Sequence, residues 1–304
     1  MRIAVIGANG QLGSDMVAAF RTAGDSIEGL THADLEIAEF DSVSAVLGKL
    51  RPEVIVNTAA FHHVDKCEQD PAKAYAVNGI GSRNLARAAN DIGALLIHIS
   101  TDYVFDGSKN TPYEESDAPL PLNVYGNTKL AGEYYVRSIA KRHQVLRTSG
   151  IYGKEPCRAK GGLNFVETML KLARERGKVR VVGDEFVSPT FTPEIAEQAV
   201  ALSRSDLNGL FHGTAEGSCS WFEFAREIFE LTGTKVVLEQ AAPGEFPAKI
   251  ARPKYSVLEN RALKSHGINK FKPWQQGLRR YLEIRSKDAS SEPAVSGAAV
   301  SPRA

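Results

Sequence analysis

Along the first half of the chain, short runs of consecutive apolar residues alternate with longer stretches whose apolar positions recur every three or four residues. The runs at 3–6, 26–30, 54–57, 94–99 and 144–148 have the length of strands, and the stretches at 11–22, 42–50, 71–89 and 125–141 have helical period. Strands that are apolar throughout are buried on both faces, which requires a parallel sheet with helices on each side. The predicted fold class is therefore α/β, a doubly wound parallel Rossmann sheet. After Gly150 the rhythm loosens into helical stretches at 164–176, 194–202, 221–231 and 274–284, a short strand at 179–182, and a proline-rich segment with Pro243, Pro247 and Pro253. This half predicts a smaller α+β substrate lobe at the C-terminal end. Residues 1–150 are assigned to the dinucleotide domain, with a segment near 188–212 returning to it, and residues 151–187 and 213–285 to the lobe. Residues 286–304 lack aromatic residues and periodicity, so a disordered tail is expected there.

Composition narrows the function. Lys plus Arg number 37 against 36 Asp plus Glu in 304 residues, a balance that gives no support for nucleic acid as a partner. Cys67, Cys157 and Cys219 are far apart, with no CxxC or Cys/His cluster, so reduced thiols are expected rather than a disulfide framework or a metal site. The first apolar run meets a glycine at once, unlike a signal peptide, and no stretch has the length of a membrane span. A cytoplasmic enzyme is expected, with a homodimer as the commonest assembly of such chains.

Gly7-Ala8-Asn9-Gly10-Gln11-Leu12-Gly13 sets three glycines between the first strand and the first helix. Gly7 permits a tight turn, Gly10 lets the backbone approach a pyrophosphate, and Gly13 lets helix and strand pack closely. The helix start adds unpaired N–H groups and a partial positive charge. At the end of the second strand, Thr31, Asp34 and Leu35 are the candidate neighbours of an adenine ribose, with Glu28 a second acidic candidate. Leu30-Thr31-His32 carries no acid, so a 2′-phosphate would meet no like charge there, and NADPH or dual use with NADH is expected. His32 reads as a solvated loop residue.

Tyr125-Gly126-Asn127-Thr128-Lys129 places a phenol and an ammonium four residues apart on one helical face. A nearby cation and an oxidised nicotinamide would both favour phenolate, lowering the tyrosine pKa toward use in acid–base catalysis. Upstream, His98-Ile99-Ser100-Thr101-Asp102-Tyr103 is a strand that ends in hydroxyls, and strand carboxyl ends are where open α/β sheets bind ligands. Thr101, Tyr125 and Lys129 are thus the candidate catalytic set for a carbonyl reduction.

The glycine spacing GxxGxxG resembles that of extended short-chain dehydrogenases/reductases. Asn57-Thr58-Ala59-Ala60, Val64-Asp65-Lys66, the stretch from Ser100 to Gly107, the stretch from Leu122 to Glu133, and Arg252-Pro253-Lys254-Tyr255-Ser256 resemble the dTDP-4-dehydrorhamnose reductase family. The resemblance implies reduction of a 4-keto group on a dTDP-activated deoxysugar by NADPH or NADH, for surface polysaccharide. It implies that Gly7, Asn9, Gly10, Gln11, Leu12, Gly13, Ala59 and Ala60 line the cofactor, and that Asn78 sits near the nicotinamide ribose. Tyr103, Gly150, Asn164 and Arg252 join Thr101 and Tyr125 as implied substrate neighbours, with Arg252 on the diphosphate.

The pattern breaks in two places. Gly150 stands where the family usually has tryptophan, removing an apolar wall beside the sugar, and the following 154–162 segment carries positive charge. Phe61-His62-His63 also replaces the small or hydroxyl residues more typical there, and either histidine would donate to a sugar hydroxyl or remain a plain loop residue. Some family members bind magnesium at a dimer contact, but no matching acidic set is found here. Two other readings stay open: a nucleotide-sugar epimerase or dehydratase on the same scaffold, and a non-catalytic subunit resembling methionine adenosyltransferase β. Asp102-Tyr103 in place of an Asp-Glu pair argues against a dehydratase, and the complete Thr101/Tyr125/Lys129 set argues for catalysis.

Overall fold

A computed structural model describes residues 1–156, 162–242, 244–245 and 250–291. The chain runs β1 (Arg2–Ile6), α1 (Gln11–Thr22), β2 (Ser26–Leu30), α2 (Phe40–Leu50), β3 (Val54–Asn57), α3 (Val64–Gln69), α4 (Pro71–Ala74), a π-helical turn (Tyr75–Ile80), α5 (Gly81–Ile92) and β4 (Leu95–Thr101). A 3₁₀ turn (Asp102–Val104) leads to α6 (Val124–Ile139), β5 (His143–Thr148), α7 (Phe165–Arg176), β6 (Lys178–Val181), β7 (Phe186–Val187) and α8 (Thr192–Ser203). Then come β8 (Gly209–His212), β9 (Cys219–Ser220), α9 (Trp221–Thr232), β10 (Val237–Gln240), α10 (Arg261–Ser265) and α11 (Trp274–Ser291).

Six strands form one sheet in the order β2-β1-β3-β4-β5-β8, and every neighbouring pair is parallel. The strand order reverses between β1 and β3, so a crevice opens there at the carboxyl ends of the strands. Both faces are apolar and covered. Ile3, Val5, Val56 and Ile97 pack with Met16, Phe20, Ile195 and Ala199 on one side, and Ala4, Ile55, Leu96 and Val145 pack with Val43, Leu85 and Val136 on the other. A third core gathers Tyr152, Phe191, Phe224, Trp274 and Tyr281 with α7, α9 and the two-stranded β10-β6 sheet. The α/β expectation holds. No helix among the described residues is long and apolar enough to cross a membrane.

Several details depart from the sequence reading. The predicted helix at 71–89 divides into α4, the π turn and α5. β8, a strand of only four residues, was not expected and extends the sheet beyond β5. The last helix continues through Ser291, so residues 286–291 are helical rather than part of a disordered tail, since the helix carries on past its apolar-periodic part. The rest of that tail, Cys157, and the charged Arg158 and Lys160 lie outside the described residues.

Candidate active site

The glycine loop follows directly from β1. Gly7 lies at φ +80, and a Cβ there would stand 2.9 Å from the Ala59 backbone nitrogen. A Cβ on Gly13 would fall 2.0 Å from the Gly7 carbonyl oxygen. Both positions are closed to any side chain, so β1, β3 and the start of α1 approach backbone to backbone. Gly10 caps α1 without a side-chain hydrogen bond, and no acidic residue stands in the first turn. The first amides of that helix are thus left for an anionic ligand. This cradle fits the pyrophosphate of a dinucleotide, with Asn9 exposed at its lip and Leu12 buried behind it.

Other implied cofactor residues are used differently. The Gln11 side chain turns inward and donates to the Gly153 (3.4 Å) and Glu155 (2.9 Å) carbonyls, so its N–H₂ group is committed to the fold and its backbone amide faces the cradle. Asp34 accepts from the Thr31 amide (2.9 Å) and hydroxyl (2.7 Å), and these bonds hold its carboxyl below the usual range. The acid thus fastens the loop after β2. Leu35 is buried under it. Asn78 is consumed as a clamp: it accepts from the Phe61 amide (2.8 Å) and donates to the Phe61 carbonyl (2.9 Å) and the Thr128 hydroxyl (3.0 Å). It shapes the loop after Ala59 and Ala60, leaving no amide group for a ribose.

Thr101, at the end of β4, and Tyr125, in the first turn of α6, do come together. Thr101 is a hydrogen-bonding neighbour of the Tyr125 phenol, while its own hydroxyl donates to Asp102 at 3.0 Å. Tyr103 packs edge-on against Tyr125, with ring centroids 5.8 Å apart. Burial raises the Tyr125 pKa well above that of a free phenol. The Thr101 hydrogen bond opposes this, and Asp102, Tyr103 and Cys67 reinforce it. The expected lowering by Lys129 is not found, because desolvation dominates and the ammonium is directed elsewhere. Lys129 donates to the Ile99 carbonyl at 2.6 Å, and burial lowers its pKa to about 8 against an opposing pull from Glu133.

Beneath Lys129 lies a charged network that the sequence reading missed. Glu133 accepts from Arg147 through both Nε (2.9 Å) and Nη2 (2.7 Å), and from the Ser100 hydroxyl at 2.5 Å. Both charged residues are buried, at 0% and 1% exposure. Spacing offered a signal, since Tyr125, Lys129 and Glu133 fall on one helical face at intervals of four, and Arg147 interrupts an apolar strand. Asp102 was also missed. It is buried and accepts from Ser149 at 2.8 Å, and burial raises its pKa.

The implied sugar-side residues divide. Arg252 is exposed, and its charge is near enough to Tyr103 and Glu185 to pull the pKa of each down against the effect of burial. Asn164 is instead the N-cap of α7. It accepts from Glu167 (3.0 Å) and donates to the Gly153 carbonyl (2.9 Å) and the Tyr281 hydroxyl (3.0 Å), so its amide is spent on the fold. Gly150 lies at φ +55, and a Cβ there would stand 3.2 Å from Pro189 Cα. His63 accepts from the Lys66 amide at the start of α3, and His32 faces Glu36 at 3.2 Å. Among the described residues no cluster of three metal-ligating side chains exists.

Residues 1–286 match the family model described as RmlD substrate binding domain. The chain belongs to the RmlD family. Its relatives include the spore coat polysaccharide biosynthesis protein SpsK of Bacillus subtilis, 41% identical over 285 residues, covering 94% of this chain and 98% of that one. The dTDP-4-keto-6-deoxy-D-glucose reductase of Streptomyces niveus is 37% identical over 293 residues, covering 94% and 98%. The structure of dTDP-4-dehydrorhamnose reductase from Bacillus anthracis, in complex with NADP, superimposes with a TM-score of 0.88 at 37% identity, covering 93% of this chain and 99% of that one. As an RmlD-family member this chain is an NAD(P)-dependent oxidoreductase of the sugar-nucleotide reductase kind.

Proposed function

We propose that this chain reduces the 4-keto group of a dTDP-activated 6-deoxyhexose, with dTDP-4-dehydro-β-L-rhamnose going to dTDP-L-rhamnose as the foremost case. The observation that carries the reading is the partly buried Tyr125 phenol, set beside the Thr101 hydroxyl at the carboxyl end of β4 and kept in its protonated form by desolvation. A protonated phenol is the form a reduction needs, because it gives up its proton as negative charge grows on the carbonyl oxygen. A nicotinamide held in the crevice would supply hydride chemistry to the sugar carbonyl. Tyr125 supplies the proton to O4 and is left as phenolate, later reprotonated from water. Thr101 turns its hydroxyl from Asp102 to O4 and holds it by a hydrogen bond, and Lys129, with one N–H kept on the Ile99 carbonyl, uses the others to stabilise the phenolate and anchor the nicotinamide ribose. Gly7, Asn9, Gly10, the Gln11 backbone, Leu12 and Gly13 hold the pyrophosphate, with Thr31, Asp34 and Leu35 toward the adenosine end. Ala59 and Ala60 line the crevice. Arg252 faces the sugar diphosphate, and Tyr103 and Gly150 border the sugar.

The same reading divides the chain into a dinucleotide unit (1–150 with 188–212) and a substrate lobe (151–187 with 213–285). It also expects NADPH or NADH as donor, a cytoplasmic site of action and a homodimer. A second reading, a different 4-keto isomer as substrate, is favoured by Gly150, which leaves the sugar without the family's indole wall, and by the likeness to the Streptomyces niveus enzyme.

Loss of NADPH and NADH absorbance on adding dTDP-4-dehydrorhamnose or dTDP-4-keto-6-deoxyglucose tests both readings, alongside Tyr125→Phe. Removing a general acid should lower kcat by about 10²- to 10⁴-fold while dinucleotide binding persists. Unchanged turnover in Tyr125→Phe would reject the phenol as donor. Dinucleotide binding by the wild type with no oxidation by either sugar would reject the reductase.

A further inference from the structure

The helix that carries Tyr125 and Lys129 begins at a joint made by one side chain. Asn123 Oδ1 accepts from the Gly126 amide at 2.9 Å, closing the first turn of α6. Its Nδ2 donates to the Ala251 carbonyl at 3.0 Å, across 128 residues of sequence. Ala251 immediately precedes Arg252. From there a strap runs to Leu258, fastened on its other edges. The Phe186 amide donates to Lys254 O (2.7 Å), and the Ser256 amide donates to Phe186 O (2.9 Å). Gly107 lies so close that a Cβ on it would meet the Lys254 nitrogen at 2.6 Å. A second anchor holds the same helical turn: Glu68 of α3 accepts from the Val124 amide at 2.7 Å. Glu68 also lines a cavity of about 460 Å³ together with Asp65, Gln69 and Ile250, the last at the head of the strap.

We propose that Asn123 is a positioning residue through which capture of a diphosphate by Arg252 fixes the height and tilt of Tyr125. The inference rests on the function proposed above. Two peptide units separate Asn123 from Tyr125, and one peptide unit separates the Ala251 carbonyl from Arg252. A pull on the guanidinium is therefore delivered to the Nδ2 bond, and by the Oδ1 bond to the turn that aims the phenol. Glu68 supplies the fixed side of the joint, so the turn pivots against α3. A hydroxyl at a reacting carbonyl must be placed within a fraction of an ångström, which makes this joint a site where a small displacement costs rate.

Asn123→Asp separates coupling from capping, because Asp is as good an N-cap as Asn yet has no donor for the Ala251 carbonyl. The first measurement is hydrogen–deuterium exchange with dTDP as the probe. In the wild type, dTDP protects both the strap at 250–258 and the first turn of α6; in Asn123→Asp, strap protection persists and the α6 protection disappears. The second is steady-state turnover: Asn123→Asp folds with a melting temperature a few degrees below the wild type, as loss of one buried hydrogen bond requires, and loses about fivefold in kcat at a temperature where both are fully folded. In an Arg252→Met background the same substitution costs less than about twofold, because the two act in series. Strap protection without any change at α6, equal α6 protection in Asn123→Asp, or additive losses in the double variant would each overturn the coupling. No protection by dTDP anywhere would reject the proposed substrate class, and the coupling with it. Protection as expected but no turnover with any dTDP-4-keto sugar would reject the reaction while upholding the joint.

Discussion

Glu133→Gln removes one charge from a pair that solvent does not reach. Glu133 and Arg147 are at 0% and 1% exposure, and the guanidinium bonds both carboxylate oxygens. Its other close polar neighbour is His212, whose Nε2 lies 3.4 Å from Arg147 Nη1. Burial, aided by the Arg147 charge, lowers the His212 pKa to about 3, so that ring is neutral at pH 7 and supplies no counter-charge. The glutamine keeps the shape but leaves an uncompensated buried cation facing an amide N–H₂. Breaking such a pair costs about 3–5 kcal/mol. For a chain of this size that is a fall in melting temperature of about 5–8 °C.

The substitution also acts on Lys129, whose pKa of about 8 already includes an upward pull from Glu133. With that pull gone the value falls further. Lys129 is charged below its pKa and neutral above it, so the alkaline limb of kcat/KM moves to lower pH and activity at pH 7.5 drops more than activity at pH 6. Calorimetry and a pH series of NADPH oxidation read the two effects separately. A melting temperature within about 2 °C of wild type, or an unmoved alkaline limb, would refute the reasoning. Pairing Glu133→Leu with Arg147→Met should recover most of the lost stability, because no unpaired charge then remains.

Gly13→Ala inserts a methyl 2.0 Å from the Gly7 carbonyl oxygen; dinucleotide affinity measured by fluorescence titration should fall at least about tenfold, with a stability loss of about 1–3 kcal/mol. Lys129→Met should raise the stability of the ligand-free protein at pH 7, where the buried lysine is charged. Because the folded-state pKa is depressed, wild-type stability rises between about pH 8 and the unfolded lysine value near 10.4, so the advantage of the variant should vanish across that window in urea melts. Gly150→Ala forces a β-carbon into left-handed backbone at φ +55, costing about 1–2 kcal/mol in a denaturation curve, and a cost near zero would show that the turn relaxes freely.

The sheet was legible because β1 and β3 are unbroken apolar runs and β4 and β5 keep apolar centres, so the predicted strands end within a few residues of those observed. The glycine turn was legible because three backbone approaches require three bare Cα atoms. β8 was not, because Gly-Leu-Phe-His is too short to show alternation, and its place beside β5 is set by tertiary pairing. Asn78 and Asn164 illustrate a different limit. The sequence placed polar side chains near the cleft, but whether an amide faces a ligand or a neighbouring backbone depends on which partners the fold brings within 3 Å. For Tyr125 the spacing found the residue and mistook the sign of its perturbation, since desolvation depends on three-dimensional burial rather than on the lysine four positions away.

The late arrival of β8 bears on how this molecule is made. Until residues 209–212 leave the ribosome, β5 is an open sheet margin with unsatisfied backbone groups, and the helix that covers α1 has only just been synthesised. A nascent chain that stops near residue 150 therefore exposes sticky edges and an uncovered flank together. Cutting the chain near residue 150 should therefore yield inclusion bodies rather than a working dinucleotide module.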